Sequence, residues 1–288
     1  GAETMGTLNK EDFEWPAKQT GTERKLAAWW NYPVIDYADG KMLMGPLDGV
    51  HNDADNLLGV FLNPMPHAQA SRIAIYSGAD YSWNLSKFEK MSSWRRAIKE
   101  LVPDEKEAFE RFADNLAFLQ KEKLDFDESR YIKEKLDEFT KALSDKEKLT
   151  EKAEDLKTEF EKLIADSDVL RNMKNKELLE EVKPFIDAYE EVAKAGVAAM
   201  EGILAVGSND FNTALDKIDV FEQALAKSAT FTVKSLEDDG KRVQDNIVQV
   251  CEKRVKPFIK DVAGAIRQTM VRELKADSKS YVYTSSDN

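Results

Sequence analysis

One change of texture, near residue 85, constrains this chain more than any other feature. Upstream of it lie four of the five tryptophans (Trp15, Trp29, Trp30 and Trp83) and most of the glycines and prolines, set around short apolar runs. Downstream runs a long Lys/Glu-rich stretch whose apolar residues recur at helical spacing. Short apolar runs closed by Gly, Pro or Asn clusters read as strands and loops, whereas a sustained 3.6-residue period reads as amphipathic helix. With 288 residues the chain can bury two cores. The expected architecture is mainly α: residues 1–85 as an α/β segment, 86–276 as a helical bundle, and 277–288 as a polar linker towards a further module.

Within the first segment, residues 25–30 read as a short buried strand, broken at Asn31-Tyr32-Pro33, and a Gly/Asp-rich loop follows from Asp39 to Asn56. Residues 57–62 form a second apolar run, ending in Asn63-Pro64. Pro66 then opens a helix to about Tyr81, with Ala70, Ile73, Ala74, Ser77 and Gly78 as its small or apolar face. Polar residues thus fall at the C-terminal ends of two strands of an α/β fold. Two strands alone make no stable sheet core, so either more strands lie upstream or the segment packs on the helical part.

In the second segment Ser86 is expected to cap a helix over 87–101, and Pro103 to occupy the first turn of a helix over 104–121. Ile132, Leu136, Phe139 and Leu143 form one apolar stripe; Leu149, Ala153, Leu156, Phe160 and Leu163 form another; Val243, Ile247, Val250 and Cys251 follow the same spacing. A helix over 175–206 kinked at Pro184, Ser208 as cap of a helix from Asp210, and a helix over 237–275 kinked at Pro257 complete the bundle. The stripes break at caps and prolines, unlike the sustained heptads of a coiled coil.

The net charge is −12, and the acids are spread along the chain. No basic stripe exists to neutralise phosphates, which argues against nucleic-acid partners and anionic membranes. The longest apolar stretch, residues 196–207, carries Glu201 and is too short to span a bilayer. Cys251 is the only cysteine and cannot form an intrachain disulfide; it reads as a small core residue. His51 and His67 have no ligand spacing and read as surface or loop residues, and Asp53 and Asp55 lack the further oxygens of a calcium loop. No metal or other cofactor is expected. The opening Gly1-Ala2-Glu3 carries no leader pattern and reads as an internal boundary.

The chemistry is concentrated in Trp29-Trp30-Asn31-Tyr32-Pro33-Val34-Ile35-Asp36-Tyr37 and Asn63-Pro64-Met65. Amide and carboxylate groups at strand ends satisfy the paired hydroxyls of a sugar, and an adjacent aromatic face covers its apolar side or an acetyl methyl. In an α/β barrel such residues sit on the catalytic face. The same residues also permit a plainer reading, in which Asn31 and Asn63 cap loops before proline and the tryptophans fill core.

These runs, with Leu43-Met44-Gly45-Pro46-Leu47-Asp48-Gly49, Pro66-His67-Ala68-Gln69-Ala70-Ser71, Ile73-Ala74-Ile75-Tyr76 and Ala79-Asp80-Tyr81-Ser82-Trp83-Asn84, resemble glycoside hydrolase family 84. That family includes protein O-GlcNAcases and bacterial secreted hexosaminidases, some named hyaluronidases. The likeness is dense over residues 25–103; beyond it, only a helical bundle after the barrel is shared. It implies the last two βα units of a (β/α)8 barrel, with Trp29 walling the N-acetyl pocket and Asn31, Asp36 and Asn63 bonding the hydroxyls of N-acetylglucosamine. It also implies a retaining, substrate-assisted mechanism in which two adjacent aspartates on an earlier strand act on the acetamido group and the leaving group.

No such pair precedes Trp29, and Asp238-Asp239 reads as solvated surface. The resemblance therefore implies a part of a β-N-acetylglucosaminidase that contributes sugar-binding residues, contains no catalytic residue of its own, and is inactive without the upstream barrel. Its partners would be that barrel and N-acetylglucosamine-bearing glycans or glycoproteins, in a secreted or cell-surface setting. The alternative is a non-catalytic helical docking module. Tyr81 and Trp83 are expected to pack the last barrel helix against the bundle.

Overall fold

The computed structural model describes residues 6–121, 124–143, 145–236 and 243–284, and it is mainly helical. Helix α1 (Lys10–Thr20) opens the chain, capped by Asn9, whose side chain accepts from the Asp12 amide. Strands β1 (Leu26–Pro33) and β2 (Leu57–Asn63) pair in parallel, with Trp29 beside Phe61 and Trp30 beside Leu62. Helix α2 (Ala68–Trp83) folds back over one face of the pair, so close that a Cβ on Gly78 would stand 2.5 Å from the Leu62 side chain. Its buried face holds the expected Ala70, Ile73, Ala74, Ser77 and Gly78, together with Ser71 and Tyr81.

Residues 34–56, the connection from β1 to β2, contain no helix, so only the second strand is followed by one. Much of this loop is core: Met42, Leu43, Met44 and Leu47 are 0–2% exposed. The Trp94 indole donates to the Met44 carbonyl at 2.7 Å, and a Cβ on Gly45 would lie 2.3 Å from that of Ala117. The loop is thus a wedge driven into the helical part.

That part comprises α3 (Lys90–Leu101), α4 (Lys106–Asp114), a hairpin of β3 (Leu119–Lys121) and β4 (Leu124–Phe126), α5 (Arg130–Ala142), α6 (Lys146–Arg171), α7 (Lys176–Gly207), α8 (Phe211–Ser228), a hairpin of β5 (Thr232–Leu236) and β6 (Val243–Ile247), and α9 (Val255–Thr284). Helix α7 is its axis, packed by α2, α6, α8 and α9. One cluster of buried side chains runs from Trp30 and Tyr32 through Trp94 to Phe160 and Tyr189, so the two textures of the sequence share a core.

Several expectations are corrected. Val243 and Ile247 lie on a strand, not a helix, and both are more than half exposed. Their separation of four satisfies a period of 2 as well as 3.6, so spacing alone does not distinguish the two. Val250 and Cys251 follow in the loop before α9, both buried, with Cys251 at φ 58°. Helix α9 starts at Val255, which places Pro257 in its first turn, where the missing N–H costs nothing, rather than at a kink. It runs on to Thr284, so residues 278–284 are helical where a linker was expected.

Helix α4 ends at Asp114, and residues 119–121 are a strand. Glu89 caps α3 by accepting from Met91 and Ser92 N–H, while Ser86 bonds Asn84 instead. Ser208 closes α7, its hydroxyl donating to the Leu204 and Ala205 carbonyls, and Asp210 caps α8. Trp83 is 90% exposed and packs nothing, whereas Tyr81 is buried, its hydroxyl donating to the His51 carbonyl. Leu143 lies just past α5 and is exposed. Asp238-Asp239 lies outside the described residues.

A Cβ on Gly196 would lie 2.5 Å from the ring of Phe160, which is fully buried, so this glycine sets how closely α6 and α7 approach. Gly196→Ala should destabilise the fold by about 1–3 kcal/mol through overpacking. Gly264 of α9 has open space around it, and Gly264→Ala should be neutral or stabilise by up to about 1 kcal/mol. Urea denaturation of both variants measures the difference, and equal effects would contradict this packing.

Candidate sugar-binding site

Alternation along β1 separates its residues. Trp30 and Tyr32 turn inward, 3% and 1% exposed, and their rings lie 5.0 Å apart at a tilt. Trp29, on the opposite face, is 70% exposed, and its register partner Phe61 is 61% exposed. Of the two adjacent tryptophans, one is core and one is presented on the face that α2 does not cover.

The parallel pairing brings the C-terminal ends of both strands together. Asn31 Oδ1 accepts from Trp29 Nε1 at 2.9 Å and from Asn63 Nδ2 at 3.2 Å, while the Asn63 carbonyl accepts from the Val34 amide at 2.8 Å. Three of the four candidate residues, Trp29, Asn31 and Asn63, therefore form one bonded cluster on two neighbouring strand tips. Asp36 lies in the exposed turn that follows β1. Beside it, burial raises the Tyr37 hydroxyl pKa, the Asp36 carboxylate adds to the rise, and that hydroxyl is buried without a partner among the described residues. The surface thus offers amide groups, a carboxyl group and an aromatic face, a set that suits a polyhydroxylated ring bearing one apolar substituent. Among the described residues no group of three or more His, Cys, Asp or Glu is placed to hold a metal ion.

Sequence reasoning missed what holds this surface. Past Asp36, the segment that follows the β5–β6 hairpin grips the loop: Gln249 donates from its backbone to the Gly40 carbonyl at 2.8 Å and from its side chain to the Asp39 carbonyl at 2.8 Å. A Cβ on Gly40, at φ 73°, would collide with the Ile247 carbonyl at 2.0 Å. Nothing local in either stretch signals this pairing, because the partners are about two hundred residues apart. Below the loop, the buried Glu128 carboxylate accepts from the Lys253 amide at 2.5 Å, with Lys41, Glu252 and Asp114 near enough to act on its charge. His67, expected on the surface or in a loop, is half-buried at the N-cap of α2, and burial lowers its pKa.

The parallel strand pair, backed by one helix and followed by a helical bundle, fits a class: the C-terminal part of an α/β barrel with a helical domain after it. Two family models match in the same order, beta-N-acetylglucosaminidase over residues 1–114 and a hyaluronidase post-catalytic domain-like model over residues 131–259. Among solved structures, CpGH84D is similar with 25% identity and a TM-score of 0.84 over 92% of this chain, and CpGH84B with 27% identity and 0.76 over 91%. An O-GlcNAc hydrolase variant of Thermobaculum terrenum, at 20% identity, shares the fold with a TM-score of 0.78 over 98% of the chain. This chain belongs to glycoside hydrolase family 84. It spans 44% of the first two structures' chains and 56% of the third.

Burial pushes the Glu128 carboxyl from 4.5 up to about 7. A raised carboxyl pKa contributes stability that is complete below the unfolded value and is lost as pH rises through the folded one. Glu128→Gln, which keeps the acceptor without the charge, should therefore match the wild type near pH 4.5 and exceed it above pH 7, by on the order of 3 kcal/mol. Thermal melts at both pH values check this; a gap independent of pH would contradict it.

Proposed function

We propose that this chain forms the sugar-binding part of a retaining exo-β-N-acetylglucosaminidase that removes terminal β-linked N-acetylglucosamine from glycoproteins or glycans. Trp29 walls the N-acetyl pocket, while Asn31, Asp36 and Asn63 hold the ring hydroxyls, with Asp36 accepting from two adjacent ones. The acid pair that polarises the acetamido group and protonates the leaving group comes from the upstream barrel. The substrate's own acetamido oxygen is then the nucleophile. Residues 1–85 belong to the barrel, residues 86–276 form the post-catalytic bundle, and the enzyme works outside the cell or at its surface. Among the described residues no helix is long and apolar enough to cross a membrane.

The observation that carries this reading is the shared acceptor at Asn31, which ties Trp29 and Asn63 into one surface at two strand tips. The bare apolar group beside it, Phe61 at 61% exposed, also fits a purely docking role for the segment. The two readings differ in outcome.

On a chromogenic N-acetylglucosaminide, the chain alone should give no turnover, and mixing with the upstream barrel segment should restore it. Asp36→Ala should then lower kcat/KM by roughly a hundredfold, since a carboxylate accepting two hydroxyls is worth about 3 kcal/mol. Turnover by the chain alone would remove the assignment of the acid pair to the upstream barrel. A mixture that is active and indifferent to Asp36→Ala would remove the sugar-binding assignment, and a mixture that binds without turnover would favour docking.

A further inference from the structure

Helix α2 is capped from a distance. Its N-cap residue, His67, makes no side-chain capping bond, and its first turn has no acidic residue. By contrast α1, α3, α6, α7 and α8 are each capped by their own flanking side chain, Asn9, Glu89, Asp145, Asn175 and Asp210. The second and third N–H groups of α2, on Gln69 and Ala70, donate instead to the two carboxylate oxygens of Glu181, at 3.0 and 2.9 Å. Those are the donors that a local cap would satisfy, and a carboxylate facing a helix N-terminus gains from the helix dipole as well. Glu181 lies on α7, more than a hundred residues further along the chain.

The turn anchored in this way leads to the strand tip. Ser71 Oγ accepts from the Met65 amide at 3.0 Å and donates to the Met65 carbonyl at 3.3 Å. Met65 Sδ accepts in turn from the Leu43 amide at 3.2 Å, in the buried loop that follows Asp36. Asn63, two residues before Met65, donates to Asn31.

We infer that Glu181 is a positioning residue for the sugar site: a carboxylate of the helical part that fixes the Asn63-Pro64-Met65 turn, and so the direction of the Asn63 amide, by capping α2. The inference rests on the sugar-binding role proposed for Asn63. It makes the bundle part of the machinery that shapes the site, since the barrel segment carries no cap of its own for this helix. Glu177 provides the control, because among the described residues it accepts from the Gln69 side chain and from no backbone group of α2.

The test uses this chain completed by its upstream barrel, with Glu181→Ala, Glu181→Gln, Glu177→Ala and Asn63→Ala compared on a chromogenic N-acetylglucosaminide. Loss of one cap corresponds to roughly a tenfold effect. Glu181→Ala should raise KM about tenfold with kcat nearly kept. Glu181→Gln, which retains a single acceptor oxygen, should raise it less, and Glu177→Ala should leave it unchanged. A purely structural role would lower the active fraction, and hence apparent kcat, at constant KM. In the chain alone, amide hydrogen exchange at Gln69 and Ala70 should quicken about tenfold in Glu181→Ala. A KM equal to wild type in Glu181→Ala, while Asn63→Ala raises it, would overturn the positioning role and leave the sugar site standing. Harmless Asn63→Ala would remove the sugar-binding reading itself.

Discussion

Two parallel strands have two faces, and this chain covers only one of them. Helix α2 and the buried loop between the strands pack against the side that holds Trp30, Tyr32 and Leu62, where Gly78 permits close approach. The other side, with Trp29 and Phe61, stays in contact with water. Parallel strands are ordinarily buried on both faces, because their connections place cover on each. On the proposed reading, the bare face lines the interior of a barrel, and the polar tip sits at its rim. Every functional statement about this chain depends on that division.

The division is held from the helical part rather than from the strands. Trp94 reaches the Met44 carbonyl, Gly45 allows Ala117 to press on the loop, Gln249 clasps Asp39 and Gly40, and Glu181 caps α2. Each of these contacts joins a loop that follows a strand tip to an element of the bundle. A bundle placed after a catalytic barrel need not touch substrate to matter: it fixes the loops from which the site projects. This accounts for the single shared core beneath two different sequence textures.

What the sequence made legible was the periodic and the local. Both strands, α2 and its buried face, and the long α6 and α7 follow from apolar spacing and from Asn and Pro at their ends. Trp29, Asn31 and Asn63 share hydrogen bonds at the two strand tips, and Asp36 lies on the exposed turn after β1. The failures have physical causes. Val243 and Ile247 fit two periods at once, the three-residue strands β3 and β4 are too short to show any, and Ser86 and Ser208 were outcompeted as caps by Glu89 and Asp210 nearer the true helix starts. The tertiary caps and clasps could not be read at all, because Glu181 and Gln249 carry no local mark of partners so distant along the chain.

Whether the strand tips hold the sugar is settled by an NMR titration of N-acetylglucosamine into this chain completed by its upstream barrel, following side-chain amide and indole signals. The Asn31 and Asn63 amides and the Trp29 indole should shift together and saturate with one affinity, while the Trp30 indole, bonded to the Gly6 carbonyl, stays still. Binding that leaves those three signals unmoved would show that the bare face of the strand pair is not where the sugar sits.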